Sequence, residues 1–270
     1  MFWNLKESTI SLDTGTVDYA VFGNGNKPFV IIPGLSLRDV KGAGAGLAMM
    51  YRLFAKEYRV YVIDKNSHIP EGCTVADLAE DTAAAMLVLG ITDACVMGVS
   101  LGGMIVQELA IRHPELVRKL VFGVTASRTN DTIINAVSKW IALAEDGDFG
   151  GIVQDMLEVM YSANYAKRNG WMFPILAKFA RPKDEVWFIR LAKACLTCDT
   201  YERLGSISCP TLVLGGADDR IVTGEASLDI AGKIGCAVYL YDGLGHSVYE
   251  EAADFNVRVF DFLREVGGYG

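Results

Sequence analysis

The stretch Cys95-Val96-Met97-Gly98-Val99-Ser100-Leu101-Gly102-Gly103 sets one serine two positions from a glycine on either side. An apolar run from Ala94 to Met97 precedes it, and a helical pattern from Gly102 to Arg112 follows, ending before Pro114. A sharp strand-to-helix turn would force Ser100 into a strained backbone geometry, and Gly98 and Gly102 would let neighbouring chain come close. The hydroxyl would then stand above the sheet edge at a helix N-terminus, where unpaired N–H groups and partial positive charge collect. That setting suits a nucleophile. The plainer possibility is a glycine-rich turn with an incidental serine, and the strand before and helix after weigh against it.

A serine hydroxyl is a weak nucleophile and needs a base. The chain holds three histidines. His113 falls in Arg112-His113-Pro114 and reads as a helix-terminal residue. His68 sits in a polar loop after Asp64 and reads as solvated, although it could line a pocket. His246 follows Gly243-Leu244-Gly245 after the last apolar run, Ala237 to Tyr241. A loop at the carboxyl end of a strand is where a base could reach Ser100, so His246 is the candidate.

The elements that must hold these groups alternate along the chain. Thr9 to Leu12 and Val17 to Phe22 alternate polar and apolar residues, with Gly23-Asn24-Gly25-Asn26 as a turn, which predicts an antiparallel hairpin region. Phe29 to Ile32 stops at Pro33-Gly34, and Arg59 to Ile63 stops at Asp64; both read as buried strands. Thr74 to Leu89 is helical, with Thr74 as N-cap and Asp77 as capping-box acid. Further strands are expected within Leu116 to Val124 and at Thr211 to Leu214 and Ala237 to Tyr241, and a last helix from about Val248 to Arg264. From Ser127 to about Leu204 the patterns are helical, without a clear strand. Strands alternating with helices indicate an α/β fold with a parallel sheet covered on both faces and a helical insertion in its middle.

Composition removes several function classes. Of 270 residues, 51% are hydrophobic and 21% charged, enough for a sizeable core and against disorder. The net charge is −8, and no Lys/Arg-rich run offers a footprint for nucleic acid or an anionic membrane. The first residues lack a basic stretch followed by an apolar one, so no signal peptide is expected. The long apolar stretch from Ala83 to Ile111 is broken by Gly90, Asp93, Gly98 and Ser100 and does not read as a membrane span. Six scattered cysteines, with no export signal, suggest buried thiols in a reducing, cytoplasmic setting. Cys195 and Cys198 have no second pair or histidine to complete a metal site and read as helix-packing thiols.

Taken together, the chain resembles the α/β-hydrolase superfamily over nearly its whole length, on the carboxylesterase and enol-lactonase side. The match is carried by Val30-Ile31-Ile32-Pro33-Gly34, Gly98 to Gly103, Arg112-His113-Pro114-Glu115-Leu116-Val117, Gly216-Ala217-Asp218-Asp219-Arg220-Ile221-Val222 and Gly245-His246-Ser247. The resemblance implies a mostly parallel eight-stranded sheet flanked by helices, with core residues 1–127 and 205–270 and a helical cap at 128–204. It implies a triad acid after the strand ending near Leu214. Both Asp218 and Asp219 lie there; the family's acid-x-Ile-Val pattern favours Asp219, with Asp218 as the alternative. Some relatives carry the acid after the preceding strand, but here Gly123-Val124-Thr125-Ala126-Ser127 contains no carboxylate.

The oxyanion donors would be the backbone N–H groups of Leu101 and, from the loop after Phe29–Ile32, of Leu35. Many relatives have a histidine just before the glycine of that loop, where this chain has Pro33; backbone donors do not depend on it. Gly42-Ala43-Gly44-Ala45-Gly46 is not a dinucleotide motif and reads as a pocket lip or a glycine-rich helix start.

The cap region holds Trp140, Phe149, Met156, Met160, Tyr161, Tyr165, Trp171, Met172, Phe173, Phe179, Trp187 and Phe188. Most should pack its own helices, and the rest would roof an apolar pocket. The activity implied is hydrolysis of a small, apolar ester, thioester or lactone through an acyl-enzyme, without a cofactor and with a small molecule as partner. Relatives that cleave halides or epoxides use an aspartate at the Ser100 position. A carbon–carbon bond hydrolase with the same triad, and a small-molecule sensor with little turnover, are the alternatives.

Overall fold

In the computed structural model, which describes residues 3–178 and 181–265, eight strands form one sheet. They are β1 (Lys6–Leu12), β2 (Gly15–Phe22), β3 (Lys27–Ile32), β4 (Tyr58–Asn66), β5 (Ala94–Val99), β6 (Val117–Gly123), β7 (Thr211–Gly216) and β8 (Ala237–Tyr241), in the order β1-β2-β4-β3-β5-β6-β7-β8. β1 with β2, and β2 with β4, pair antiparallel; every other pair is parallel.

Eleven helices are described. They are α1 (Gly44–Met50), α2 (Val75–Val88), α3 (Leu101–Arg112), α4 (Asp131–Glu145), α5 (Phe149–Met160), α6 (Ala163–Asn169), α7 (Phe173–Ala177), α8 (Glu185–Cys195), α9 (Gly224–Ile234), α10 (Val248–Glu251) and α11 (Phe255–Arg264). None is long and apolar enough to cross a membrane.

The central strands read as continuous apolar runs because both faces are covered. On one face Val30, Ile32 and Val96 pack with Leu78 and Met86 of α2 and Ile105 and Leu109 of α3. On the other, Phe29, Ile31 and Met97 pack with Phe54, Tyr58 and Phe255, Val259 and Phe262 of α11. Helix α2 starts as its sequence predicts: Thr74 and Asp77 form a reciprocal capping box. The glycine-rich segment starts α1 at Gly44, one of its two expected readings.

Several boundaries differ from the sequence reading, three of them with consequences for the packing. The β1–β2 turn falls between Leu12 and Gly15, while Gly23 to Asn26 carries the chain from β2 to β3. Strand β4 does not stop at Asp64 but runs to Asn66, because Asp64 and Lys65 are paired with each other and with backbone instead of turning to water. The last helix is two: the chain turns extended at Ala252 and restarts at Phe255, which puts Phe255, Val259 and Phe262 on the core while Asp254 pairs with Arg258.

Between β6 and β7 the described chain is helical, with a single bridge, Arg128 to Asp199. Trp140, Phe149, Trp187 and Phe188 are buried, and the Phe149 and Phe188 rings meet edge to face. The Trp140 indole donates to Asp155 at 2.6 Å, and the Trp187 indole donates to the Asn66 carbonyl at 2.8 Å, tying α8 to the end of β4. Trp171 is 69% exposed, and Phe179 lies outside the described residues.

Candidate active site

Ser100 caps the N-terminus of α3 with φ 55° and ψ −120°. A side-chain-bearing residue held there costs on the order of 1–3 kcal/mol and needs its surroundings to hold it. Those surroundings are visible. The Ser100 N–H donates to the Gly123 carbonyl at 2.9 Å, and the Thr125 hydroxyl donates to the Ser100 carbonyl at 2.8 Å. A Cβ on Gly98 would overlap the Gly102 carbonyl, and one on Gly102 would overlap the Ile32 carbonyl. The glycines of G-x-S-x-G are thus demanded by backbone passing within contact of backbone.

His246 follows β8 and is 3% exposed. Its Nε2 lies 2.9 Å from Ser100 Oγ and its Nδ1 lies 2.8 Å from Asp219 Oδ2. The other carboxylate oxygen, Oδ1, accepts the N–H groups of Ile221 at 2.8 Å and Val222 at 3.0 Å. Burial pushes the Asp219 carboxyl up, but His246 and the two backbone donors outweigh it and hold it below the usual carboxylate value. An ionised Asp219 can only accept, so the Nδ1–H of His246 donates to it. Nε2 is then free to accept the Ser100 hydroxyl proton.

The other sequence candidates separate cleanly. Asp218 is exposed and has no bond to His246; its N–H donates to the Leu244 carbonyl. His113 ends α3 and pairs with Glu80 and Glu115, and His68 is exposed. Leu101 opens α3, so its N–H falls among those with no intrahelical acceptor. Gly34, just before Leu35, lies against the serine: a Cβ on it would sit 3.1 Å from Ser100 Cβ and 3.7 Å from Oγ. The Leu35 peptide is therefore at the nucleophile.

Two clefts adjoin residues of the site, one through Leu35 and the other through Asp219. One, of about 370 Å³, is lined by Leu35, Leu37, Val153, Met156, Met160 and Phe173, with Arg38 at its side. The other, of about 610 Å³, is lined by Asn164, Asp218, Asp219, Arg220 and Gly245. Tyr161 borders both and donates to Glu250 at 2.8 Å. The histidine loop meets the inserted helices directly, since the Ser247 N–H donates to the Met160 carbonyl at 2.9 Å.

Sequence reading missed three supporting groups: Gly123 and Thr125, which hold the Ser100 backbone, and Lys65, whose ammonium donates to the Gly34 carbonyl at 2.7 Å. The one signal for Lys65 was its place beside Asp64, an adjacent acid and base at the end of an apolar strand. Cys73, Cys95, Cys195 and Cys198 are buried thiols, and burial pushes Cys195 up to about 12. No cluster of metal-ligating side chains occurs among the described residues.

A family described as alpha/beta hydrolase fold matches residues 27–253. A Mycobacterium phage D29 protein provisionally named a non-heme haloperoxidase is 30% identical over 88% of this chain and 88% of its own. A Caulobacter sp. (strain K31) protein provisionally named the carbamate hydrolase RutD is 28% identical over 82% of this chain and 87% of its own. Among solved structures, the enol-lactonase from Burkholderia xenovorans LB400 superposes with a TM-score of 0.80 at 22% identity, over 96% of this chain and 100% of that one. At that identity the likeness is one of fold.

Proposed function

The chain belongs to the α/β-hydrolase fold family, and we propose that it is a serine hydrolase that cleaves a small, apolar ester, thioester or lactone through an acyl-enzyme. One observation carries this reading: an unbroken hydrogen-bonded line from Ser100 through His246 to Asp219, with the serine in a strained turn at a helix N-terminus. Ser100 Oγ attacks the carbonyl carbon while its proton passes to His246 Nε2. The charge formed on the carbonyl oxygen is met by the N–H groups of Leu35 and Leu101. Donors aimed at that oxygen are worth about 3–4 kcal/mol each. The bond to the leaving group breaks, and His246 hands that group its proton. A water then attacks the acyl carbon, gives its proton to His246, and the acid departs as Ser100 regains its hydrogen.

The helices between β6 and β7 act as a cap in this reading, and the Leu35–Phe173 cleft receives the apolar acyl group. The name of the carbamate hydrolase relative fits cleavage at an acyl carbon. Buried thiols suit a cytoplasmic setting.

The test is hydrolysis of p-nitrophenyl esters of graded acyl length by wild type and Ser100→Ala, with fluorophosphonate labelling. Burst kinetics and labelling, both lost in the variant, support the acyl-enzyme, and the best chain length measures the cleft. A folded wild type that neither turns over nor labels refutes the reading and favours a ligand sensor, to be sought by thermal-shift screening.

A further inference from the structure

Lys65, at the end of β4, has a side chain only 2% exposed, a costly place for an ammonium unless it is bonded. Its Nζ donates to the Gly34 carbonyl at 2.7 Å and lies 3.8 Å from Asp64 Oδ1. Asp64 is also buried and accepts the N–H groups of Val40 at 2.7 Å and Lys65 at 2.9 Å. Burial pulls the Lys65 ammonium down and pushes the Asp64 carboxyl up, and the attraction between the two works against both shifts. A buried ion pair of this kind is weak evidence for stability, because a hydrophobic pair often serves as well. Its target is more telling.

Gly34 and Leu35 share one peptide unit. That unit is planar and trans, so its carbonyl and its N–H project from opposite edges. A donor that grips the Gly34 oxygen therefore sets the direction of the Leu35 N–H. The same peptide lies against Ser100, as the 3.1 Å approach of a Gly34 Cβ to Ser100 Cβ shows. Hydrogen bonds in series also strengthen one another, so a cationic donor on the oxygen makes the N–H a better donor.

We propose that Lys65 is a positioning residue for acyl transfer, holding the Gly34 carbonyl so that the Leu35 N–H is aimed at the oxyanion. The proposal rests on the reading of Ser100 as nucleophile. Lys65 touches neither the serine nor the substrate; it acts through the Gly34–Leu35 peptide. A purely structural lysine would change stability and leave the preference for the transition state intact. A positioning lysine changes that preference, because the oxyanion exists only after attack.

The variant is Lys65→Met, which keeps the stem and removes the donor. Two quantities are measured: the kinetics of p-nitrophenyl butyrate hydrolysis, and inhibition by phenylboronic acid, whose tetrahedral adduct on Ser100 presents an oxyanion-like oxygen. A mis-aimed donor should lower kcat about 10–100-fold with KM within about twofold, and weaken boronate inhibition by a similar factor. Lys65→Arg, which restores a donor, should recover part of both. If Lys65→Met does not fold, the double variant Asp64→Asn/Lys65→Met removes both buried charges and is measured in its place, with the same expectations. A folded variant with kcat and boronate inhibition within about twofold of wild type overturns the Lys65 assignment alone. A wild type that shows neither turnover nor a boronate adduct overturns the hydrolase reading, and the Lys65 role falls with it.

Discussion

Replacing Asp219 by asparagine tests the site through a change of one atom's chemistry. Asp219 Oδ1 accepts two backbone N–H groups, from Ile221 and Val222, and Oδ2 faces His246 Nδ1 at 2.8 Å. An asparagine can satisfy the backbone only by turning its oxygen toward Ile221 and Val222. The opposite orientation would set its NH2 against two N–H donors and leave buried donors unpaired, at about 1–3 kcal/mol each. The orientation is thus decided, and the NH2 must face Nδ1. His246 then has to accept at Nδ1 and carry its proton on Nε2, toward Ser100. In that tautomer it cannot take the serine proton. Loss of the correct tautomer and of support for the imidazolium lowers kcat by about 10⁴ in triads of this type, or about 5.4 kcal/mol at 1.36 kcal/mol per tenfold. The fold should survive, because the side chain keeps its shape and both backbone bonds. The assay is p-nitrophenyl ester turnover with thermal unfolding measured alongside, and Asp218→Asn as the exposed control. A loss below about tenfold in folded Asp219→Asn, or an equal loss in Asp218→Asn, would refute the assignment of Asp219.

Three further outcomes follow from particular contacts. Gly102→Ala would drive a Cβ into the Ile32 carbonyl, so it should cost about 1–3 kcal/mol or more in urea unfolding; a wild-type midpoint would contradict the close approach of β3 and α3. Lys119 donates to the carbonyls of Phe262 at 2.6 Å and Glu265 at 2.8 Å, so Lys119→Met should destabilise by about 1–3 kcal/mol while esterase kinetics stay unchanged; unaltered stability would deny that these bonds anchor α11. The depressed carboxyl of Asp219 gives a pH signature. Its contribution is fully present above the unfolded-state value of about 3.9 and disappears as pH falls through the lower folded value, because in that window the unfolded chain binds more protons. Acid titration of stability should therefore be steeper for wild type than for Asp219→Asn below the ordinary carboxylate range, and superimposable curves would count against the pairing.

Much of this architecture could be read from local pattern. The G-x-S-x-G segment between a strand and a helix, the Thr74–Asp77 capping box and the limits of β8 all depend on residues close in sequence, where spacing and local hydrogen bonding decide the conformation. His246 was legible by elimination, since the two other histidines had local explanations. Between Asp218 and Asp219 the pattern leaned to Asp219 and left Asp218 open, because both follow the same strand; the course of the chain after β7 turns Asp218 to water and buries Asp219 against His246. The break at Ala252 was hidden because helical periodicity runs through it, and packing of Phe255 on the core overrides that periodicity. Lys65 lay furthest from any sequence signal. A lysine ordinarily implies a solvated surface, and its role depends on Gly34, thirty-one positions earlier, being brought beside it by the parallel pairing of β3 with β4. The sequence by itself determined which residue types could do chemistry and the elements that carry them. Which atoms meet was decided only by the tertiary structure, because a hydrogen bond depends on distance and angle in space, and neither is encoded in spacing along the chain.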